Sequence, residues 1–267
     1  MCGVLRVLRS GDYDWTARGL SRRVRSNQEL DRCIHAIFAE HQQRYGAPRI
    51  AKTLHQEGLQ CRKNRIAHRM RALNLRALQA KKFNVTTDSN HSKPVANDLL
   101  EQDFNAAAPN QKWTSDNTYV WTDEGWLYLA VVMDRYSRAI VGWAMNQRMT
   151  QHLVCDTLTM ALFRRYFPKD IILHSDRGSQ YCSKRYQRLL RNNGLRCSMG
   201  RKATCYDNAV TENFFHTLKV ALVQQERYVT RRKAQASIFE YTEIYYNRQR
   251  RHSAIGYQIP MIFEKAI

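Results

Sequence analysis

The chain has 267 residues, 43% hydrophobic and 10% aromatic, and its 43 Lys and Arg outnumber 23 Asp and Glu for a formal net charge of +20 at pH 7. That apolar content excludes a disordered chain, and no apolar run approaches the roughly 18 residues needed to span a bilayer. A surplus of this size exceeds what a solvated surface needs and points to a polyanionic partner, most often nucleic acid.

Arg6 and Arg9 interrupt the N-terminus before an apolar leader can build, so the expected compartment is the cytoplasm, with no membrane partner. The seven cysteines form no C-x-x-C pair and read as reduced thiols rather than a zinc site. His174 and His216 also lack metal-ligand spacing and are expected to be structural groups or supports behind a site. The charge is uneven. Residues 1–92 hold 18 basic and 7 acidic side chains, against 25 and 16 in the rest of the chain.

In chain order, Leu30, Ile34, Ile37 and Phe38 recur at helical spacing. A second helix is expected over 49–58, with Ile50 and Leu54 inward and Gly58 as its stop. A third over 63–74 turns Ile66, Met70 and Leu73 inward and places Arg62, Lys63, Arg65, Arg69 and Arg71 on other faces. Helix, short turn and basic helix describe either a helix-turn-helix-like DNA-contacting unit or a plain helical packing unit. Residues 1–80 are therefore read as a small, basic, all-α domain. Residues 81–98 are polar, contain Pro94 and read as a linker, and residues 99–267 as a second domain.

That domain opens with three expected strands, at 112–122, 126–133 and 138–145, the first two joined by the turn Asp123-Glu124-Gly125. A helix over about 151–166, a short strand at 171–174, a helix at 183–193, a strand at 195–199 and helices at 206–225 and 231–248 follow. Three strands and then alternating helix and strand make an α/β fold with a mixed five-stranded sheet flanked by helices, the element order of an RNase H-like core.

Three acids have comparable settings. Asp116 lies on the first strand, Asp176 ends the fourth, and Glu212 sits in the helix after the fifth, with 35 residues between the last two. Each alone has an ordinary use as turn former, helix surface or cap. In an RNase H-like sheet the first and fourth strands are neighbours, so these acids converge and would repel unless neutralised by cations. Two Mg²⁺ ions about 4 Å apart answer that need. Asp134 suits the turn into the third strand, and Asp207 suits the cap of the Glu212 helix. Lys219, two helical turns beyond Glu212, is either a phosphate contact beside the site or a solvated lysine.

The motifs W113-T-S-D-N-T-Y119, D123-E-G-W-L-Y-L-A-V-V-M-D134, H174-S-D-R-G-S-Q-Y181, S198-M-G-R-K-A-T-C-Y-D-N-A-V-T-E212, F214-F-H-T-L-K219 and Y246-N-R-Q-R-R-H-S253 together resemble the OrfB (InsO-type) transposases of frameshifting bacterial insertion sequences. R44-Y-G-A-P-R-I50 and T86-T-D-S-N-H91 extend the likeness over nearly the whole chain. The resemblance implies a DDE transposase with a retroviral-integrase-like core. Asp116, Asp176 and Glu212 would hold two Mg²⁺ ions, Mn²⁺ substituting, with Lys219 on DNA and Arg177 a candidate phosphate or carboxylate partner. It implies nicking at element ends followed by strand joining. Its implied partners are terminal inverted repeats, target DNA, an upstream OrfA segment and further copies of the chain on DNA, in the cytoplasm and nucleoid of a bacterium. Asn117 and Asn213 depart from the family's more usual Ile and Ser, and Ala203 from a usual Gly; none removes a ligand. A non-catalytic DNA-binding regulator and an RNase H-like nuclease that does not join strands are the rival readings.

Overall fold

The computed structural model describes residues 9–78, 96–100, 105–200 and 208–266. Most of the expected linker, residues 81–95, and the expected cap Asp207 lie outside them. The chain divides into two compact units, Met1–Leu78 and Gln79–Ile267.

The first unit is helical: α1 (Arg9–Ala17), α2 (Arg22–Glu40), α3 (Ala47–Gln56) and α4 (Lys63–Ala72). Ser21 starts α2 by accepting the Val24 N–H with its side chain. Pro48 sits in the first turn of α3, where its missing N–H costs nothing. Gly58, at φ 87°, takes the left-handed turn after α3 that a Cβ would oppose. Leu30, Ile34, Ile37, Phe38, Ile50, Leu54, Ile66 and Met70 are buried, each contributing about 1.5–3 kcal/mol of apolar transfer. Leu73 is only half-buried because α4 ends one residue before it. Helix α1 has no apolar periodicity, and nothing in its pattern announces it.

The second unit is built on β1 (Lys112–Thr122), β2 (Gly125–Asp134), β3 (Ile140–Asn146), β4 (Ile172–Ser175) and β5 (Arg196–Met199). Their order is β3-β2-β1-β4-β5. The pairs β1–β2 and β2–β3 are antiparallel, whereas β1–β4 and β4–β5 are parallel. β2 is buried over nearly its whole length, as a strand covered on both faces must be. One face, carrying Trp113, Ala130 and Val132, packs on α5 (Gln151–Arg164) and α6 (Lys184–Asn192) through Leu153, Leu158, Ala161, Leu162, Tyr186 and Leu190. Gly142 makes the closest approach: a Cβ there would run into the Thr157 carbonyl and Ala161.

Against β1 packs α7 (Ala209–Leu218), which widens into a π-helical turn at Lys219–Val223. Helix α8 (Arg231–Phe239) widens likewise over Glu240–Tyr246, and α9 (Pro260–Lys265) ends the described chain. The single helices expected at 206–225 and 231–248 are therefore each an α-helix run into a π segment. Apolar spacing does not separate the two, because the burial pattern continues through the join. The third strand begins at Ile140 rather than Arg138, whose φ of 65° belongs to the preceding turn. Buried Glu243 ties the π segment to the sheet and α5, accepting from Trp143 Nε1 and Arg164 Nη1, both at 2.5 Å. Glu264 holds α9 by accepting from Ser137 and Arg165, both at 2.6 Å.

Candidate active site

The parallel register places the two aspartates. Ser115 pairs with Ser175 at the end of the β1–β4 ladder, so Asp116 and Asp176 each directly follow the last paired residue of two strands that run about 4.8 Å apart. Strand β4 stops at Ser175, and Asp176 opens the loop rather than ending the strand.

Local backbone fixes one oxygen of each. Asp116 Oδ1 accepts the Asn117 N–H at 2.7 Å, and Asp176 Oδ1 accepts the Gly178 N–H at 2.9 Å. A Cβ on Gly178 would come within 2.9 Å of that same Asp176 oxygen and 3.0 Å of Gln180 Oε1, so a larger residue there would push on the carboxylate. Below the aspartates the buried Tyr181 hydroxyl meets Ser115 Oγ and donates to Asn117 Oδ1, each at 3.1 Å. Burial first, then the charges of Asp116 and Asp176, push that phenol well above its usual range, so it stays a neutral donor.

A buried hydroxyl pair brings in the third acid. Thr211 donates to Thr114 at 2.7 Å, pinning α7 to β1 one residue before Glu212 and two before Asp116. Glu212 itself is exposed. Its charge and that of Asp176 both act on Asp116, whose carboxyl is driven well above the ordinary range. Burial is the largest cause, Asp176 the next; the Asn117 N–H and Lys219 oppose it. Glu212 is raised in turn by its own partial burial. Lys219 lies 5.0 Å above the Tyr119 ring and is lowered by burial, against the pull of Tyr119 and Asp116. The structure thus brings Asp116, Asp176, Glu212 and Lys219 into one electrostatic neighbourhood. Among the described residues no three His, Cys, Asp or Glu side chains are already arranged to hold an ion by themselves.

Arg177 turns toward the protein, donating Nε to the Gly200 carbonyl at 2.6 Å. Asp134 is buried and accepts from Asn110 N, Tyr136 N and Trp113 Nε1 while the Arg138 N–H closes on its carbonyl. It clamps the β2–β3 turn. His174 is buried between the strands with Nδ1 2.9 Å from Ser198 Oγ, and burial lowers its pKa to about 4. His216 is exposed on α7.

In the helical unit the basic residues divide. Arg69 forms a two-point bridge to Asp31 at 2.8 and 2.6 Å, and Arg65 donates to Ser26 and Asn27 at 2.9 Å each. Both guanidinium groups join α4 to α2, Arg65 while remaining exposed. The spacing reveals nothing of this because the partners lie 38 or 39 residues upstream. Arg62 and Lys63 are exposed. The sequence reading also missed Tyr181, Asn117 and Tyr119 as supports of the site. Tyr181 and Tyr119 stand inside the quoted motifs, but only the fold shows what they touch.

A mixed sheet with carboxylates at the β1–β4 rung and on the following helix is the core of a DDE-type polynucleotidyl transferase. Residues 106–205 and 212–266 match integrase core domain families, and residues 25–83 match an HTH-like domain. The chain is 48% identical over 266 residues to transposase InsF for insertion sequence IS3A of Escherichia coli (strain K12), covering 99% of this chain and 92% of that protein. It is 44% identical over 265 residues to an uncharacterized 31 kDa protein of insertion element IS600 from Shigella sonnei, covering 99% and 97%. Among solved structures, the HTLV-2 integrase catalytic core domain in complex with magnesium aligns with TM-score 0.43 and 14% identity, over 61% of this chain and all of that one. The BIV integrase core aligns with TM-score 0.41 and 19% identity, over 59% and 95%. The chain belongs to the insertion-sequence transposase family that includes the IS3 InsF proteins.

Proposed function

We propose that Asp116, Asp176 and Glu212 are the catalytic carboxylates of this transposase and that Lys219 holds a DNA phosphate beside them. The observation that carries this is the site's charge: Asp116 faces two further carboxylates while half-buried, with one lysine alongside. Like charges gathered at a solvent-accessible strand end ask for a cation. The donor set is all oxygen, which suits Mg²⁺ or Mn²⁺. Asp116 and Asp176 supply the rigid part, and exposed Glu212 is the side chain free to swing in. When bound, two such ions lower the pKa of a nucleophilic water or hydroxyl and offset charge on the leaving oxygen.

The chain's own groups set the rest. The Asn117 and Gly178 N–H groups hold one oxygen of each aspartate still. Lys219 draws the phosphodiester toward Asp116. Water attacks at the element end, breaking one P–O bond and freeing a 3′-OH. That hydroxyl then forms a new P–O bond in target DNA while one target bond breaks. Each bond broken is matched by one formed, and no protein–DNA bond is needed.

The first unit, through exposed Arg62 and Lys63, adds backbone contacts to DNA. Residues 1–80 and 99–267 are taken as the working domains, joined by the 81–98 segment. An upstream OrfA segment for end recognition, assembly of several copies on DNA, and action in the cytoplasm at the nucleoid complete the reading. No helix among the described residues is long and apolar enough to cross a membrane.

The test uses pre-nicked element ends, Mn²⁺ and the chain with an OrfA segment fused upstream. Joined strands from the parent and none from Asp176→Ala are expected. Joining that persists in Asp176→Ala contradicts the assignment. Cleavage without joining favours the nuclease, and binding with neither favours the regulator.

A further inference from the structure

A second feature of this sheet carries no assigned role. Beyond Ser115, β1 has no β4 partner, and past Tyr119 and Tyr128, where the β2–β3 pairing ends, β1 and β2 continue alone as a two-stranded hairpin. Register pairs Trp121 directly with Trp126, and Tyr119, two residues back, stands on the same face. The three rings form a chain. Trp121 and Trp126 meet edge to face at 4.8 Å, and Tyr119 and Trp126 at 4.9 Å. The indoles remain 57% and 43% exposed, large for tryptophans on a strand pair. The hairpin is held rigidly at its tip. The Asp123 N–H donates to the Tyr228 carbonyl, the Arg231 N–H to Glu124, and Arg231 Nε to the Trp126 carbonyl at 3.0 Å.

Two observations say what covers these rings. The first is charge: Lys219 sits over the Tyr119 ring, the Arg231 guanidinium reaches the Trp126 backbone carbonyl, and Arg227 pairs with Asp123 at 3.2 Å, so a cation lies near each end of the ring series. The second is continuity. Lys219 lies over Tyr119 at the inner end of the ring series and also acts on Asp116, so one lysine reaches both the rings and the carboxylate, although Asp116 itself points to the other face of β1. Trp121 is five residues along β1, roughly 17 Å from Asp116 at ~3.3 Å per residue. That spans about five nucleotides at the duplex spacing of ~3.4 Å. Flat, exposed aromatic faces bordered by cations bind nucleobases without sequence preference.

We infer that the Tyr119–Trp126–Trp121 series is a stacking platform for unpaired bases of the DNA strand that flanks the cleaved phosphodiester. Frayed bases at a DNA end would lie on the indoles while Lys219 and Arg231 hold the backbone. The inference rests on the carboxylate site proposed above, because its distance is measured from Asp116.

The test binds the full chain to a duplex with a five-nucleotide single-stranded flank carrying 2-aminopurine, and to the same duplex blunt. The parent is expected to prefer the flanked duplex and quench the probe. Trp121→Thr and Trp126→Thr, which keep β-forming residues in the hairpin, are expected to weaken flanked binding about tenfold and lose the quench, with blunt binding unchanged. Trp121→Phe and Trp126→Phe should restore both. Asp116→Asn should abolish strand joining yet retain the quench, so the two proposals fail separately. Unchanged flanked binding and quench in the Thr variants overturn the platform. Loss of self-association or of OrfA-segment binding in those variants, with DNA binding intact, also overturns it and assigns the rings to a protein partner.

Discussion

Two regions of one sheet hold carboxylates, and they are built oppositely. At the β2–β3 corner, Asp134 is wholly buried, yet three donors surround it and its backbone closes the turn. At the β1–β4 rung, Asp116 keeps one N–H and faces the charges of Asp176 and Glu212. The first arrangement satisfies an acid and stabilises the fold. The second leaves repulsion that only a cation or a proton relieves. Satisfaction, more than burial, separates a structural acid from a working one.

Exchanging the two acids' fates breaks the comparison most sharply. Asp116→Asn should lower strand joining at least about a thousandfold, the several kcal/mol asked of such a site, while leaving the unfolding midpoint at neutral pH unchanged or higher. Asp134→Ala should do the reverse. It strands buried donors, costing about 3–5 kcal/mol by denaturant unfolding, yet leaves joining per folded molecule near that of the parent.

His174 sharpens the contrast from beside the site. Its folded pKa of about 4 lies below the 6.5 of an unhindered imidazole, so the unfolded chain takes up the proton first. Stability from this group is full above pH 6.5 and is lost as pH falls toward about 4, by roughly 3 kcal/mol in all. Urea titrations across that window should show the decline, and His174→Asn should flatten it.

Smaller effects test the supports. Thr211→Val leaves the Thr114 hydroxyl buried without its partner, costing about 1–2 kcal/mol by urea unfolding and, by freeing α7, about tenfold in joining. In the helical unit, Arg62→Ala and Lys63→Ala should each reduce the salt slope of DNA binding by about one. Arg69→Ala should leave that slope alone and lower the unit's stability by up to about 1 kcal/mol, as its partly exposed bridge to Asp31 allows.

Much of this is legible in the sequence itself. Period-3.6 apolar positions located α2, α3 and α4, and the alternation in 112–122 located β1. The element order implied the sheet that sets Asp116 beside Asp176. What stayed hidden was non-local. The Asp31 bridge that claims Arg69, the Thr114–Thr211 pair that seats α7 and the Tyr181 support beneath Asn117 join residues 38, 97 and 64 positions apart. The π turn that begins at Lys219 was hidden for another reason: π and α segments bury the same residues when the helix continues in line.

Whether the β1–β4 acids await a cation can be read without any DNA. The thermal midpoint of the full chain is measured with and without Mn²⁺ for the parent, Asp116→Asn and Asp176→Asn. A midpoint raised by Mn²⁺ in the parent and in neither variant is the predicted result. An equal rise in all three, or none in the parent, contradicts the account.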